Sequence, residues 1–239
     1  PSFANPPPFP NSTLGTMLRM EGLATQAELH LVFPMRNLQP WVRSRPMAYL
    51  DHIVNYGGPG SLVVALRDEL GLASDVSVDS QDLSAGSQIE IAMSLLPEGV
   101  DKLPVALDAC FAFLQRALQS PSQEKASLLA SLAESSRLGY DWSGLPDSST
   151  AVSNMADSMT LLGPSDLMVS GRLILEPDVE KVDYILERLR PENMILILVD
   201  AEGSEFWRAP PSDARVLPYY DVRYTARLLD AALPSWHLP

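Results

Sequence analysis

Cysteine occurs once in the 239 residues, at Cys110, so no disulfide can close within the chain. A single thiol fits a reducing compartment such as the cytoplasm. Histidine occurs three times, at His30, His52 and His237. None begins an H-x-x-E-H motif, the spacing that sets two imidazoles on one helix face beside a glutamate base. A lone histidine is more often a packed or surface residue than a ligand, so no metal site is expected. Positive charge is also scarce: 17 Lys and Arg stand against 30 Asp and Glu, a net charge of −13. Such a surface repels phosphate backbones, which excludes nucleic acid as a natural partner and favours a cationic or neutral one. Long apolar runs are missing; stretches such as Met194–Val199 are far too short to cross a bilayer, so no membrane partner is expected.

The usual nucleophile signatures are absent too. Ser61 follows Gly60, but Val63 stands where the second glycine of G-x-S-x-G belongs. Ser204 follows Gly203 without the rest of that pattern. Gly57–Ser61 offers glycines and a serine to a phosphate, but no lysine. Cys110 falls on the apolar stripe of a helix and reads as a buried, inert thiol. From its own residues the chain is expected to hold no catalytic residue.

What the sequence does have is enough apolar material for a core, 46% of its residues. Residues 1–10 read PSFANPPPFP. Five prolines in ten residues exclude a helix or a central strand, so this stretch is expected to be an interdomain linker, with residues 11–239 forming one domain. Glu28–Phe33 alternates, with Leu29, Leu31 and Phe33 on one face, and Pro34 is expected to end the strand. Pro46 opens a short helix through Tyr49, Leu50, Ile53 and Val54. Ser61 is placed to cap a helix over Leu62–Leu70, with Gly71 at its end. Val76 and Val78 alternate with Asp75, Ser77 and Asp79, and Ile89, Ile91, Met93 and Leu95 follow at period two beyond a loop over Gln81–Gly86. The two runs read as neighbouring strands.

Pro97–Leu118 carries a helical stripe, with Pro104 either kinking it or marking its true start. Helices are expected near Gln123–Leu138 and Ser149–Leu162, with turns over Gly139–Ser148. A further helix is expected over Pro177–Arg190, then a covered strand at Met194–Val199 and a mostly irregular tail from Ala209. Mixed strands and helices with hairpin-like neighbours imply an α+β fold.

One stretch, HLVFPMRNLQPWVRSRPMAYLDHIVNYGGPGS over His30–Ser61, resembles the start of the second domain of the insulinase/pitrilysin family of zinc metallopeptidases. The resemblance rests on Phe33-Pro34, Arg45-Pro46, Tyr49-Leu50-Asp51-His52 and Gly58-Pro59-Gly60-Ser61-Leu62. It continues through Glu98-Gly99, Leu189-Arg190-Pro191-Glu192-Asn193, Tyr219/Tyr220 with Tyr224, and Leu238-Pro239. It implies a largely antiparallel sheet packed against helices. It further implies a non-catalytic domain, without a cofactor of its own, of a protein whose zinc sits in an upstream domain. The implied partners are peptide substrates and the other domains of that protein.

In the family the second domain gives the substrate's N-terminus an exosite to which the peptide adds a strand. By position the carry-over falls on His52, Asn55, Gly57 and the strand around Val76, Ser77 and Val78. Gly57 stands where the family has an acidic residue, and Ser74–Ser80 holds no glycine where the family's edge strand is glycine-rich. Asp75 or Asp79 would then supply the charge that anchors the amine. A freed edge at residues 75–80 could also pair with a second copy of the chain. The same resemblance also admits an interaction or scaffolding domain of a catalytically inactive paralogue or processing-peptidase-like subunit.

Overall fold

Period-two burial organises the molecule. Ile89, Ile91, Met93 and Leu95 of β4 (Gly86–Leu95) are all buried, as are Leu29, Leu31 and Phe33 of β2 (Ala27–Met35). In a pleated strand every second side chain points the same way, so these residues make one continuous apolar face. The computed structural model describes residues 13–83, 86–143, 147–159, 162–164, 166–167 and 171–233. The expected linker at 1–10, His237 and Leu238-Pro239 lie outside them.

The other strands are β1 (Thr16–Glu21), β3 (Ala73–Leu83), β5 (Ile195–Asp200), β6 (Arg215–Leu217) and β7 (Val222–Leu228). They form one sheet in the order β3-β4-β2-β5-β1-β7-β6. Among the described residues only β1 and β5 pair in parallel; every other neighbouring pair is antiparallel. This is the expected α+β fold with a largely antiparallel sheet against helices. Phe111, in the helix Leu103–Gln119, meets Phe33 of β2 at 6.4 Å, ring edge to ring face, so the helical layer lies on the Leu29–Phe33 side.

The main helices are α1 (Met47–Asn55), α4 (Leu103–Gln119), α5 (Ser122–Trp142), α6 (Ser148–Met159) and α7 (Val179–Arg188). Short turns α2 (Leu62–Val64), α3 (Pro97–Asp101), α8 (Glu205–Arg208) and α9 (Leu229–Ala232) complete the set. Ser61 caps α2 as expected: its hydroxyl accepts from the Val64 amide at 3.3 Å. The chain then widens into a π-helical stretch over Ala65–Glu69, where Leu70 N donates to Ala65 O, and Gly71 closes it at φ +63°.

Several expectations shift. Strand β2 does not end at Pro34 but runs to Met35. The Pro34 carbonyl accepts from Asn193 Nδ2 on the β5 side, past the last β2–β5 pair, so its missing N–H falls where no ladder bond is due. The supposed loop Gln81–Gly86 is largely strand, paired out to Leu83 and Gly86. The stripe from Pro97 breaks at Lys102, and Pro104 sits in the first turn of α4, where its missing N–H costs nothing. Helix α5 continues through Gly139 to Trp142. Helix α7 is shorter than Pro177–Arg190, because Asp178 caps it, accepting from the amides of Glu180 and Lys181. The tail beyond Ala209 supplies β6, β7 and α9.

Candidate functional site

The sheet has two unlike faces. Its inner face carries the helices. Its outer face can be read from the strand registers as three rows of side chains. One row runs Asp75 (β3), Ser94 (β4), Glu28 (β2), Val199 (β5), Met20 (β1), Tyr224 (β7) and Arg215 (β6). The next runs Ser77, Ala92, His30, Ile197, Leu18 and Ala226. The third runs Asp79, Glu90, Val32, Ile195, Thr16 and Leu228. None of the apolar members joins the helix-covered core. Leu228 is 63% exposed, whereas Val32 and Ile195 are buried. The face is thus acidic at the β3–β4–β2 end and apolar across β5, β1 and β7.

Among the described residues, strand β3 is the free edge of the sheet beside that acidic end. Val76 points into the core, Val78 is half-buried, and Asp75, Ser77 and Asp79 are exposed. A free edge presents unpaired main-chain groups, the chemistry that strand addition needs. Helix α1 packs against this strand from the inner side. The rest of the sequence-derived set is dispersed. His52 lines a cavity of about 220 Å³ with Tyr49, Ile53 and Tyr56 against Phe113 and Arg116 of α4, and no β3 residue borders it. Its ring stacks on Tyr56 at 5.2 Å. Asn55 is exposed and donates to Asp51 Oδ1 at 2.6 Å. Gly57 is exposed, next to a turn that Arg116 holds by donating to Gly60 O at 3.0 Å. The structure therefore brings Asp75, Val76, Ser77, Val78 and Asp79 together along one edge but leaves His52 facing α4.

Sequence reading missed a second polar centre. Asp200, at the C-terminal end of β5, is fully buried and takes a two-pronged contact from Arg19 at 2.7 and 2.8 Å, plus the Trp207 indole N–H at 2.8 Å. Phe206 lies under the Arg19 guanidinium at 3.7 Å. A cavity of about 1000 Å³ opens beside this cluster, lined in part by Arg19, Asp101, Asp200, Ser204 and Phe206. The only signal in sequence was the apolar run ending in an acid, Ile195–Asp200.

A zinc ion needs three or four converging ligands. Among the described residues no group of three His, Cys, Asp or Glu is placed to hold one. His30 lies on the outer face of the sheet and His52 on a helix of the inner side. The residues present do not fit the metal.

Comparison with known proteins agrees with this geometry. A family model described as the peptidase M16 inactive domain matches residues 1–144. The chain is 19% identical over 231 residues to the insulin-degrading enzyme of Drosophila melanogaster, covering 96% of the chain and 22% of that protein. Its fold is similar to that of pitrilysin, with a TM-score of 0.78 at 16% identity over 96% of the chain and 24% of pitrilysin. It is also similar to a peptidase M16 inactive domain from Pseudomonas fluorescens, with a TM-score of 0.52 at 18% identity over 79% of the chain and 45% of that one. The chain thus spans less than a quarter of the length of the insulin-degrading enzyme and of pitrilysin. Since the family model covers more than half of it, the chain belongs to the peptidase M16 inactive-domain family.

Proposed function

We propose that this chain forms a substrate-binding wall of a zinc-dependent metalloendopeptidase, in which another domain of the parent protein holds the zinc. The observation that carries the reading is the free edge of β3, with Asp75, Ser77 and Asp79 exposed along it. An extended peptide adds to such an edge through main-chain hydrogen bonds, which make the contact tolerant of sequence. Asp75 or Asp79 would pair with the peptide's amino terminus. Asn55 and Gly57, exposed on α1 and the turn after it, lie outside the polar contacts of the core and would form the margin of the exosite. His52 would contribute only if its ring left Tyr56.

The test is peptide cleavage by the full-length parent, with and without a zinc chelator, beside this chain alone. Chelator-sensitive cleavage by the parent and silence from the chain are expected. Reversing both charges, Asp75→Lys with Asp79→Lys, should raise KM for peptides with a free amino terminus more than for N-acetylated ones. A parent that is silent under all conditions replaces this reading with that of a scaffolding domain.

A further inference from the structure

We propose that a cavity of about 490 Å³ on the helix side of the sheet, where α1 begins, binds an apolar residue with a free α-carboxylate, either a free amino acid or the last residue of a peptide. This goes beyond the substrate-wall reading and does not rest on it.

Arg45 precedes α1 and lines the cavity. Two residues earlier, Arg43 pairs with both Asp166 and Glu176. The Arg45 guanidinium makes no hydrogen bond or ion pair with any described residue, in a chain that carries 30 Asp and Glu. Burial pulls its pKa down, and Asp51, the carboxylate acting on it, is engaged by Asn55 Nδ2 at 2.6 Å. A guanidinium keeps its charge in such surroundings, so a partly desolvated cation stands without a counter-charge. Its backbone is strained as well. The φ of Arg45 is +41°, in the left-handed region that residues with a Cβ seldom adopt. Two hydrogen bonds hold the turn there: Arg45 N donates to Trp41 O at 2.9 Å, and Ala48 N donates to Arg45 O at 3.0 Å. Strain held at an unpaired charge beside a cavity is the pattern of a binding position.

Leu38, Trp41, Val42, Pro46 and Met47 give the cavity apolar walls, and strand β3 contributes Asp82. By the period of two Asp82 shares the face of Val76 and Val78, which is the helix side and not the outer face. Its Oδ1 accepts from the Ser87 hydroxyl, while Oδ2 accepts from no described residue. No ion pair joins Arg45 and Asp82, so the cavity offers a cation, an anion and hydrocarbon to one ligand. A residue with a free carboxylate matches all three: the carboxylate on Arg45, its N–H or ammonium on Asp82, its side chain against the apolar walls. A phosphate fits less well, because Asp82 repels it and the apolar walls stay uncovered. A fatty acid leaves Asp82 without a donor.

The test is an NMR titration of this chain, followed at the Trp41 indole N–H, whose signal Trp41→Phe identifies. The probes are acetyl-Ala-Leu, its C-terminal amide, free leucine, and isocaproate, which is leucine without its amino group. Acetyl-Ala-Leu or leucine is expected to bind at least about tenfold tighter than the amide and about threefold tighter than isocaproate. The tighter of the two names the source, a peptide end or a free amino acid. Asn is at ease with a positive φ, so Arg45→Asn is expected to abolish binding without lowering the thermal midpoint. Arg45→Lys should keep part of the affinity. Asp82→Asn should shrink the preference for leucine over isocaproate. Equal affinity for the acid and its amide overturns the site, as does full binding by the Arg45→Asn chain. Absence of a shift with all four probes at about 10 mM overturns it too. None of these outcomes bears on edge addition at β3, whose test is the charge reversal of Asp75 and Asp79.

Discussion

Lys125 of α5 and Asp183 of α7 meet at 2.6 Å, with Lys125 buried to 3% side-chain exposure and its Nζ also donating to Leu118 O at 2.6 Å. The ammonium thereby ties the end of α4 and the start of α5 to α7. Replacing Lys125 with Met keeps the aliphatic stem but leaves a carboxylate and a carbonyl short of a donor. The expected cost is about 2 kcal/mol, below the usual range for a broken buried pair because Asp183 keeps partial access to water. Urea denaturation should show a lower midpoint with an unchanged slope.

Gly99 is fixed by space, not by backbone angle. A Cβ there would lie 2.0 Å from the Leu72 carbonyl oxygen, which already accepts from Leu96 N at 3.0 Å. Gly99→Ala must therefore push α3 away from the chain entering β3. The expected loss is about 1–3 kcal/mol, read as a lower thermal midpoint; an unshifted midpoint would refute this packing.

Cys110 is buried among the apolar residues of α4, and burial pushes its thiol up to about 12. The thiolate is the reactive form, so a thiol reagent at pH 8 should label the native chain only as fast as the chain opens. Labelling is expected to become rapid in denaturant. Rapid labelling of the native state would place Cys110 elsewhere.

Glu21 is held below the usual carboxylate range, chiefly by the hydrogen bonds from Arg223 at the β1–β7 junction. Its folded pKa is depressed, so its contribution is present above about pH 4.5 and is lost as pH falls through the folded value. The pair is partly exposed, and the effect is at most about 1 kcal/mol. Glu21→Gln should leave the acid limb of the stability–pH curve shallower than in the parent chain, with the two curves converging at low pH.

Local pattern made much of this fold legible. The alternation in β2 and β4, the stripe of α4, the Ser61 cap and the existence of α7 all depend on neighbours a few residues away. What stayed hidden depended on distant pairing. The segment TMLRME of β1 shows no clean alternation, and it is a strand because β5 and β7 flank it. Pro34 looked like a stop and is tolerated because β5 has already ended beside it. For the site, local pattern could place Asp75–Asp79 on a strand with acids on one face, and the family resemblance implied that this strand is an edge, but neither could show that His52 turns toward α4.

The sequence by itself determined which side of β3 and β4 faces the core, since alternation commits those strands to one buried and one polar side whatever their neighbours are. It also determined that no H-x-x-E-H motif is present to bind zinc. Only the tertiary structure decided which residues share a row. Registers between strands as far apart in sequence as β1 and β5 set acids beside acids at one end and apolar side chains beside one another across the middle. A slip of one residue would have sent either set to the opposite face, because the side-chain period of a strand is two.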